Sequence, residues 1–341
     1  MDPDERIFIL VPSFNEDHLR MTVEGALEAA ERPENLFFGI CQQSTTGEFE
    51  DFRDNPNIRV MNIFCHEPRG ADLARVVAGA LHNNEPYMLK IDAHHLFADG
   101  WDTTLISKHK ELEKEFEKPL ITQYLPRYIV RDGEVEKLDQ SEGFETTSPS
   151  MKMYDDIRCV MTWMPIYGYG EPAAKPWSEH HCISNHFIFS RSSFFWEILP
   201  DPAIMFEGDE TCLAVRAWTR GYRMFAIPEH VMWHRCKFPE SGQDSEDGGV
   251  ATMNGLLDEG DWRHVDEYNN RMRRMSGKFR TEQVLTGQLL GYWGSPTKEL
   301  LEEYCKAAGF DVIDLYRKMN EWHVESYGFK FSDTTGIVSR I

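Results

Sequence analysis

Apolar and polar residues alternate in blocks through the first hundred residues. Four short apolar runs are typical of buried strands, and two segments with apolar residues at helical spacing lie between them. The strands are expected at 6–11, 36–41, 58–65 and 87–92, and the helices at 18–32 and 71–83. Short strands that alternate with helices predict an α/β fold with a mostly parallel sheet flanked by helices.

Polar residues follow each of these four strands, at 12–16, 42–45, 66–69 and 92–95. The carboxyl ends of parallel strands meet at one edge of a sheet, and ligands bind in the crevice beyond that edge. We therefore expect these four turns to lie together and to line a binding cleft.

The pattern becomes looser beyond about residue 105. The segment 107–118 is typical of a charged, exposed helix, 121–129 of a strand, and 262–326 of helices. Residues 241–261 are polar and rich in glycine, which suits a mobile lid or a linker. The expected division is a main domain over 1–240, a loop over 241–261 and a helical C-terminal extension over 262–341.

Composition narrows the class of protein. The chain has 341 residues, of which 41% are hydrophobic and 27% charged, and these values are typical of a globular protein. The net charge of −21 disfavours non-specific binding to nucleic acids or anionic membranes. Seven scattered cysteines without a Cys-x-x-Cys pair, and no leader or membrane span, predict reduced thiols in a cytoplasm, which would be the host cytoplasm for a viral protein.

The strand at 87–92 runs into a cluster of carboxylate and imidazole groups. Asp92 and His94 are two residues apart at the strand end, so both side chains can reach one ion. Asp, His and water are suitable ligands for a divalent cation such as Mn²⁺. His234, at the end of a distant apolar run, would complete an Asp/His/His site. The alternative interpretation is an ordinary polar strand end.

Two further groups of polar residues have competing interpretations. Asp209 and Glu210 open an apolar helical segment, where acidic residues are also ordinary helix caps. His180, His181 and His186 could bind metal, but we expect them to be polar groups of a loop.

Six stretches of the chain, in this order, resemble a known family: IFILVPSFNED, LFFGICQQ, RGADLARVVAGAL, YMLKIDAHHLFADGWD, MFEGDETCLAVRAWTRGYRMFAIPEHVMWH and YWGSPTKELLEEYCKAAGFD. This order resembles the N-acetylglucosaminyltransferases typified by cytoplasmic enzymes that modify hydroxyproline on a protein. The chain is more distantly similar to the mucin-type polypeptide GalNAc transferases. The resemblance implies the GT-A fold, with residues 1–240 as the catalytic domain.

The resemblance also implies a role for each matching residue. Asp92, His94 and His234 would hold Mn²⁺ or Mg²⁺, while Asp209 and Glu210 would lie near the sugar and the acceptor as catalytic residues. The residues implied to bind the UDP-sugar, or to close the metal loop around it, are Pro12, Ser13, Glu16, Gln42, Gln43, Arg75 and Trp101.

The implied reaction moves a sugar, with N-acetylglucosamine or another hexose as the candidate, from a UDP-sugar to a hydroxyl on a protein or glycan. The family implies retention at the anomeric carbon, whereas an inverting enzyme would need Asp209 or Glu210 as a general base. Two departures, VPSFNE and SNHFIFS in place of a Gly-rich turn, touch the cleft and leave the donor sugar and acceptor open.

Other functions stay open at this point. The basic stretch 263–280 could contact phosphates, as in a viral-type DNA glycosyltransferase that acts on a hydroxymethylated base. A non-catalytic UDP-sugar-binding protein on a GT-A scaffold is a second alternative. A nucleotidyltransferase is disfavoured, because no Gly-rich, Lys-containing phosphate loop follows the first strand.

Overall fold

The computed structural model describes residues 5–66, 69–130, 133–137, 177–205, 208–235, 277 and 279–309 in full, and the backbone of residue 131. It also describes the backbone of six short strands outside these ranges. They are β9 (Phe144–Thr146), β10 (Met151–Lys152), β11 (Met161–Thr162), β12 (Tyr167–Tyr169), β17 (Phe329–Phe331) and β18 (Val338–Arg340). The predicted lid over 241–261 lies outside the described residues.

A sheet of eight strands forms the centre of the fold, in the order β13-β15-β6-β14-β4-β1-β2-β3. Its strands are β1 (Ile7–Phe14), β2 (Leu36–Ser44), β3 (Ile58–Phe64), β4 (Tyr87–Ile91), β6 (Pro119–Thr122), β13 (Ser178–His180), β14 (Phe187–Arg191) and β15 (Arg223–Ala226). The first four strands are parallel neighbours, and β15 also runs parallel to β6. The pairs β13–β15, β6–β14 and β14–β4 are antiparallel, so the sheet is mixed.

The four strands predicted from the first hundred residues are confirmed, and so is their shared edge. Asn15, just beyond β1, donates its backbone N–H to the Gln43 carbonyl oxygen at 3.1 Å, and the Gln43 side chain contacts the turn after β3. The turns that follow β1, β2, β3 and β4 therefore meet at the carboxyl edge of one sheet, as the sequence predicts.

Helices cover both faces of this sheet. Ile7 and Ile9 of β1 pack towards the helices α1 (Leu19–Ala29) and α3 (Trp101–Leu112), while Phe8 faces α2 (Ala71–Gly79) and α4 (Ser193–Glu197). A short 3-10 turn, Pro33–Asn35, leads into β2. Alternate residues of β1 thus fill two separate hydrophobic clusters, as expected for a strand buried on both faces.

Two of the predicted elements need correction. The helix expected over 107–118 begins at Trp101 and ends at Leu112, and it buries an apolar stripe rather than lying fully exposed. The single strand expected over 121–129 is wrong, because β6 and β7 (Arg127–Arg131) belong to different sheets. Pro126 separates the two strands, and a proline has no N–H to donate to a ladder.

A smaller sheet begins just beyond the carboxyl end of β4, in the order β5-β16-β7-β8. Its strands are β5 (His95–Phe97), β7, β8 (Glu134–Lys137) and β16 (Met232–Arg235). The antiparallel pair of β5 and β16 brings residues almost 140 positions apart into register, with His234 opposite His95.

The C-terminal part packs directly on the main domain. Helix α5 (Asp209–Trp218) shares a hydrophobic cluster with the helical residues 279–285 and with α6 (Lys298–Ala308), through side chains such as Leu213, Leu285 and Leu301. The extension is not helical throughout, because β17 and β18 form an antiparallel pair. Among the described residues, none of the helices has the length and apolar character needed to cross a membrane.

The sheet and α2 approach each other closely at Gly39 of β2, and a substitution there can test this packing. A Cβ on Gly39 would lie 2.2 Å from the Phe8 ring and 2.5 Å from the carbonyl oxygen of Ala78. Because one of these contacts is backbone, we expect Gly39→Ala to lower the free energy of unfolding by about 1–3 kcal/mol. Urea unfolding followed by circular dichroism measures this change.

The matched control is Gly25→Ala in α1, where an added Cβ has no neighbour within 4 Å. That substitution should raise the free energy of unfolding by about 0.5–1 kcal/mol, since alanine favours a helix. Equal effects of the two substitutions would contradict the close approach at Gly39.

Candidate active site

Three predicted metal ligands meet where the two sheets join. Asp92 and His94 follow β4, and the pairing of β5 with β16 carries His234 to the same point. The Nε2 atoms of His94 and His234 are 3.1 Å apart, and the Nε2 of His234 is 3.6 Å from Asp92 Oδ2. One donor atom from each of the three residues lies within 4.8 Å of the other two.

The donor atoms of these residues fit a divalent cation. Ligand atoms about 2.1 Å from one ion and at right angles to each other are about 3.0 Å apart. The separation of 3.1 Å between two imidazole nitrogens is close to this distance. The three side chains are 17–26% exposed, so they are held by the protein yet open to a cleft. The role of Asp92, His94 and His234 as ligands stays a prediction.

Arg75 forms ion pairs both with the predicted metal ligand Asp92 and with two further aspartates. Its guanidinium lies 2.8 Å from Asp72, 3.0 Å from Asp92 and 3.1 Å from Asp209, all measured from nitrogen to carboxylate oxygen. Burial opposes ionisation of Asp92, but the hydrogen bond with His234 and the charge of Arg75 outweigh it and hold the pKa of Asp92 well below its usual range. Asp92 is therefore an anion at neutral pH.

The acidic pair lies at the start of α5, beside Arg75. Asn185 donates from its side chain to Asp209 Oδ2, and its backbone N–H donates to Glu210 Oε1 at 2.7 Å. Burial, together with the negative charge of Asp209, raises the pKa of Glu210 to about 8. The structure thus places Asp209 close to the metal cluster, with Arg75 between Asp209 and Asp92, and Glu210 is the next residue of the chain.

Comparison with known proteins assigns this arrangement to a family. The family model described as "Glycosyltransferase (GlcNAc)" matches residues 48–243, which contain the three predicted metal ligands, Arg75 and the acidic pair. The match covers more than half of the 341 residues. The chain belongs to this family. No curated protein matches the sequence.

The solved structure of GalNAc-T7 shows that this glycosyltransferase has the GT-A fold. The crystal structure of GalNAc-T7 with UDP, GalNAc and Mn²⁺ matches with a TM-score of 0.52 and 14% identity, over 96% of this chain and 58% of that chain. The glycosyltransferase thus spans less than two thirds of that protein. TarS residues 1–349 of S. aureus, in complex with UDP-GlcNAc, match at 12% identity over 98% of this chain and 96% of that chain, with a TM-score of 0.44.

The residues predicted to contact uridine lie at the carboxyl edge, but several use their polar atoms within the glycosyltransferase itself. Pro12 and Ser13 are buried near the end of β1. The amide of Gln42 pairs with the backbone of Glu50, and the amide of Gln43 accepts from the Arg69 N–H and donates to the Gly70 carbonyl oxygen. Gln42 and Gln43 thus hold the loops that border the cleft, and their contact with uridine stays a prediction.

Trp101 lies away from the site. Its side chain is fully buried in the core, and its indole N–H donates to the Ala26 carbonyl oxygen at 3.0 Å. The next residue, Asp102, accepts from the backbone N–H groups of Glu31 and Arg32. Both side chains attach the start of α3 to the end of α1, so the structure does not bring Trp101 to the donor as the resemblance implies.

Three residues lie beside the site although the sequence analysis did not place them there. His186, expected in a polar loop, is buried and stacks on the ring of His234 with centroids 4.3 Å apart. Asn185 binds the acidic pair. Asn185 and His186 both belong to the segment SNHFIFS, whose departure from the family pattern was the signal that could have drawn attention to them. Lys90 is buried within the strand LKID, where burial and the charge of Arg75 lower its pKa to about 7.

The raised pKa of Glu210 makes stability depend on pH. The folded state holds this proton more tightly than the unfolded chain, whose carboxyl has an ordinary pKa of 4.5. Stability should therefore fall as pH rises from 4.5 to about 8, where the folded group also ionises. In EDTA above pH 8, Glu210→Gln should have a free energy of unfolding about 1–2 kcal/mol above wild type.

Urea unfolding at pH 5 and at pH 8.5 measures this difference. The control is Glu48→Gln, an exposed carboxylate on the loop after β2, which should follow the wild-type pH dependence. If the stability of Glu210→Gln varies with pH as that of wild type does, the prediction of a raised pKa for Glu210 is wrong.

Proposed function

We propose that this glycosyltransferase moves a hexose from a UDP-sugar to a hydroxyl group on a protein or glycan, with Mn²⁺ or Mg²⁺ at Asp92, His94 and His234. The observation that carries the proposal is the convergence of these three side chains within 4.8 Å at the carboxyl edge of the sheet. N-acetylglucosamine is the first candidate for the sugar, because the family model bears that name.

The nature of the donor is supported by the fold and by its relative. GalNAc-T7 was crystallised with UDP, GalNAc and Mn²⁺, and it shares the GT-A fold. A cation bound between the three side chains would neutralise the negative charge that gathers on a leaving diphosphate. The chain would hold that cation with one anionic carboxylate and two imidazoles, a suitable set for Mn²⁺.

The protein groups around the cluster have separate tasks. Arg75 holds Asp92 by an ion pair at 3.0 Å, and the same guanidinium holds Asp209. The positions of the metal ligand and the catalytic acid are therefore linked through one rigid, buried cation. Such a fixed arrangement orients the donor against the acceptor oxygen without further reorganisation.

The acidic pair favours retention over inversion. A general base must be ionised and free to accept a proton from the acceptor hydroxyl. Glu210 holds its own proton at neutral pH because its pKa is raised to about 8, and Asp209 accepts from Arg75 and Asn185. The hydrogen bonds that Asp209 already accepts leave it poorly placed to act as a base, which supports the retaining outcome that the family resemblance implies.

A protein or glycan acceptor fits the charge of the molecule better than DNA. The net charge of −21 repels a phosphate backbone. Most of the basic stretch 263–280 lies outside the described residues, but Arg280 at its end lies 2.8 Å from the carboxylate of Asp201. This ion pair offsets part of the positive charge that a phosphate contact would need.

A hydrolysis screen tests the proposal. The protein is incubated with UDP-GlcNAc, UDP-Glc, UDP-GalNAc or UDP-Gal, in Mn²⁺ or in EDTA, and the released UDP is measured. We expect one donor to be hydrolysed with Mn²⁺ and spared in EDTA. Turnover that persists in EDTA would contradict the metal site, while metal-dependent UDP binding without turnover of any donor, with or without added acceptor, would favour a non-catalytic sugar-nucleotide-binding protein.

A further inference from the structure

A carboxylate lies directly behind one of the predicted metal ligands. Glu16 Oε2 is 2.9 Å from Nδ1 of His94, on the side of the ring opposite to the Nε2 that faces His234 and Asp92. The side chain of Glu16 is 10% exposed and that of His94 is 17% exposed. The pair therefore lies largely out of water, where a charge-assisted hydrogen bond is strong.

This hydrogen bond selects one form of the imidazole. A carboxylate can only accept, so the proton of neutral His94 must be on Nδ1 when it pairs with Glu16. The lone pair is then on Nε2, which is 3.1 Å from the Nε2 of His234. Glu16 thus fixes both the tautomer and the orientation that a metal ligand needs.

The backbone holds Glu16 in this position. Asn15 has a positive φ of 44°, which turns the chain sharply at the end of β1. The Asn15 side chain makes two hydrogen bonds with Thr45, at 2.9 and 3.1 Å, and these fix the turn against β2. The second carboxylate oxygen of Glu16 accepts from the His18 N–H and lies 3.7 Å from Arg235.

We propose that Glu16 is a positioning residue, which orients His94 through a carboxylate–imidazole–metal arrangement instead of contacting uridine. The inference rests on the proposed metal site. It replaces the uridine contact that the family resemblance implies for this position. The same geometry explains why Asn15 and Glu16 follow β1, since Asn15 makes the turn and Glu16 reaches across to the turn after β4.

The test measures metal binding separately from nucleotide binding. Free Mn²⁺ is followed by electron paramagnetic resonance during titration of wild type, Glu16→Ala and Glu16→Gln. We expect Glu16→Ala to raise the Kd for Mn²⁺ by about 10–100-fold. Glu16→Gln should recover part of this loss, because its side-chain oxygen can still accept from Nδ1. Asp17→Asn, next in the chain and 67% exposed, is the matched control and should keep the wild-type Kd.

The Kd for UDP is then measured with Mn²⁺ at saturation for each variant. A positioning role predicts little change once the metal is loaded, whereas a uridine contact predicts weaker UDP binding by Glu16→Ala even then. An unchanged Kd for Mn²⁺ in folded Glu16→Ala, or a loss confined to UDP, would overturn the inference. If wild type itself binds no Mn²⁺, the proposed metal site fails, and the inference falls with it.

Discussion

Replacing Asp92, His94 or His234 by alanine should lower the Mn²⁺-dependent release of UDP by about 10²-fold or more. Each substitution removes one of three protein donors from a cluster whose donor atoms lie within 4.8 Å of each other. Two remaining donors would hold the cation too weakly and in the wrong orientation. Steady-state release of UDP from the preferred donor, over a range of Mn²⁺ concentrations, measures the effect.

The control for the histidine variants is His230→Ala, two residues before β16, where the ring packs against Trp233. This variant should keep turnover close to wild type, since His230 is not one of the three ligands. Wild-type turnover by His94→Ala or by His234→Ala would show that these imidazoles do not hold the cation.

Replacing Arg75 should cause the largest loss of stability. Arg75→Met leaves the carboxylates of Asp72, Asp92 and Asp209 near one another without their shared cation. Removing one partner of a buried ion pair costs about 3–5 kcal/mol, because the remaining charge stays buried without compensation. We expect a loss of this size in the free energy of unfolding, measured by urea titration in EDTA.

Two further variants separate this effect from a general loss of an arginine. Arg53→Met breaks an exposed pair with Asp51, which water screens, and should leave the free energy of unfolding close to wild type. Adding Asp72→Asn to Arg75→Met should recover part of the loss, because it removes one of the buried negative charges. If Arg75→Met costs no more than Arg53→Met, Arg75 is not the cation that holds this cluster.

Much of the sheet could be predicted because its signals are local. The strands β1, β2 and β4 are mainly apolar runs of buried residues, and β3 is a partly exposed strand at the edge of the sheet. The helices α1 and α2 between strands indicate a parallel sheet. The segment 121–129 could not be read in the same way. Pro126 interrupts this segment, but only pairing with distant strands shows that β6 and β7 belong to different sheets.

Local signals in the sequence also indicate part of the candidate site. Asp92 and His94 are visible as ligand types two residues apart at a strand end. His234, in contrast, reaches them only because β16 pairs with β5, which no local pattern reveals. Trp101 shows the opposite error, because an aromatic residue near a loop gives no sign that its ring turns inward to Ala26.

Long-range contacts also determine which carboxylates Arg75 binds and where Asn185 and His186 lie. Asn185 reaches Asp209 across 24 positions, and Arg75 reaches it across 134. A single sequence shows the charged residues but not which carboxylates share one guanidinium. The departure SNHFIFS marked the right segment, although not the role of its residues.

The most direct test of a metal-dependent sugar-nucleotide site is calorimetric titration of UDP into the protein, in Mn²⁺ and in EDTA. We predict that UDP binds at least about tenfold more tightly in Mn²⁺, and that His234→Ala loses this difference. Equal affinities for UDP in Mn²⁺ and in EDTA would contradict the account, and Asp92, His94 and His234 would then be a polar end of two strands.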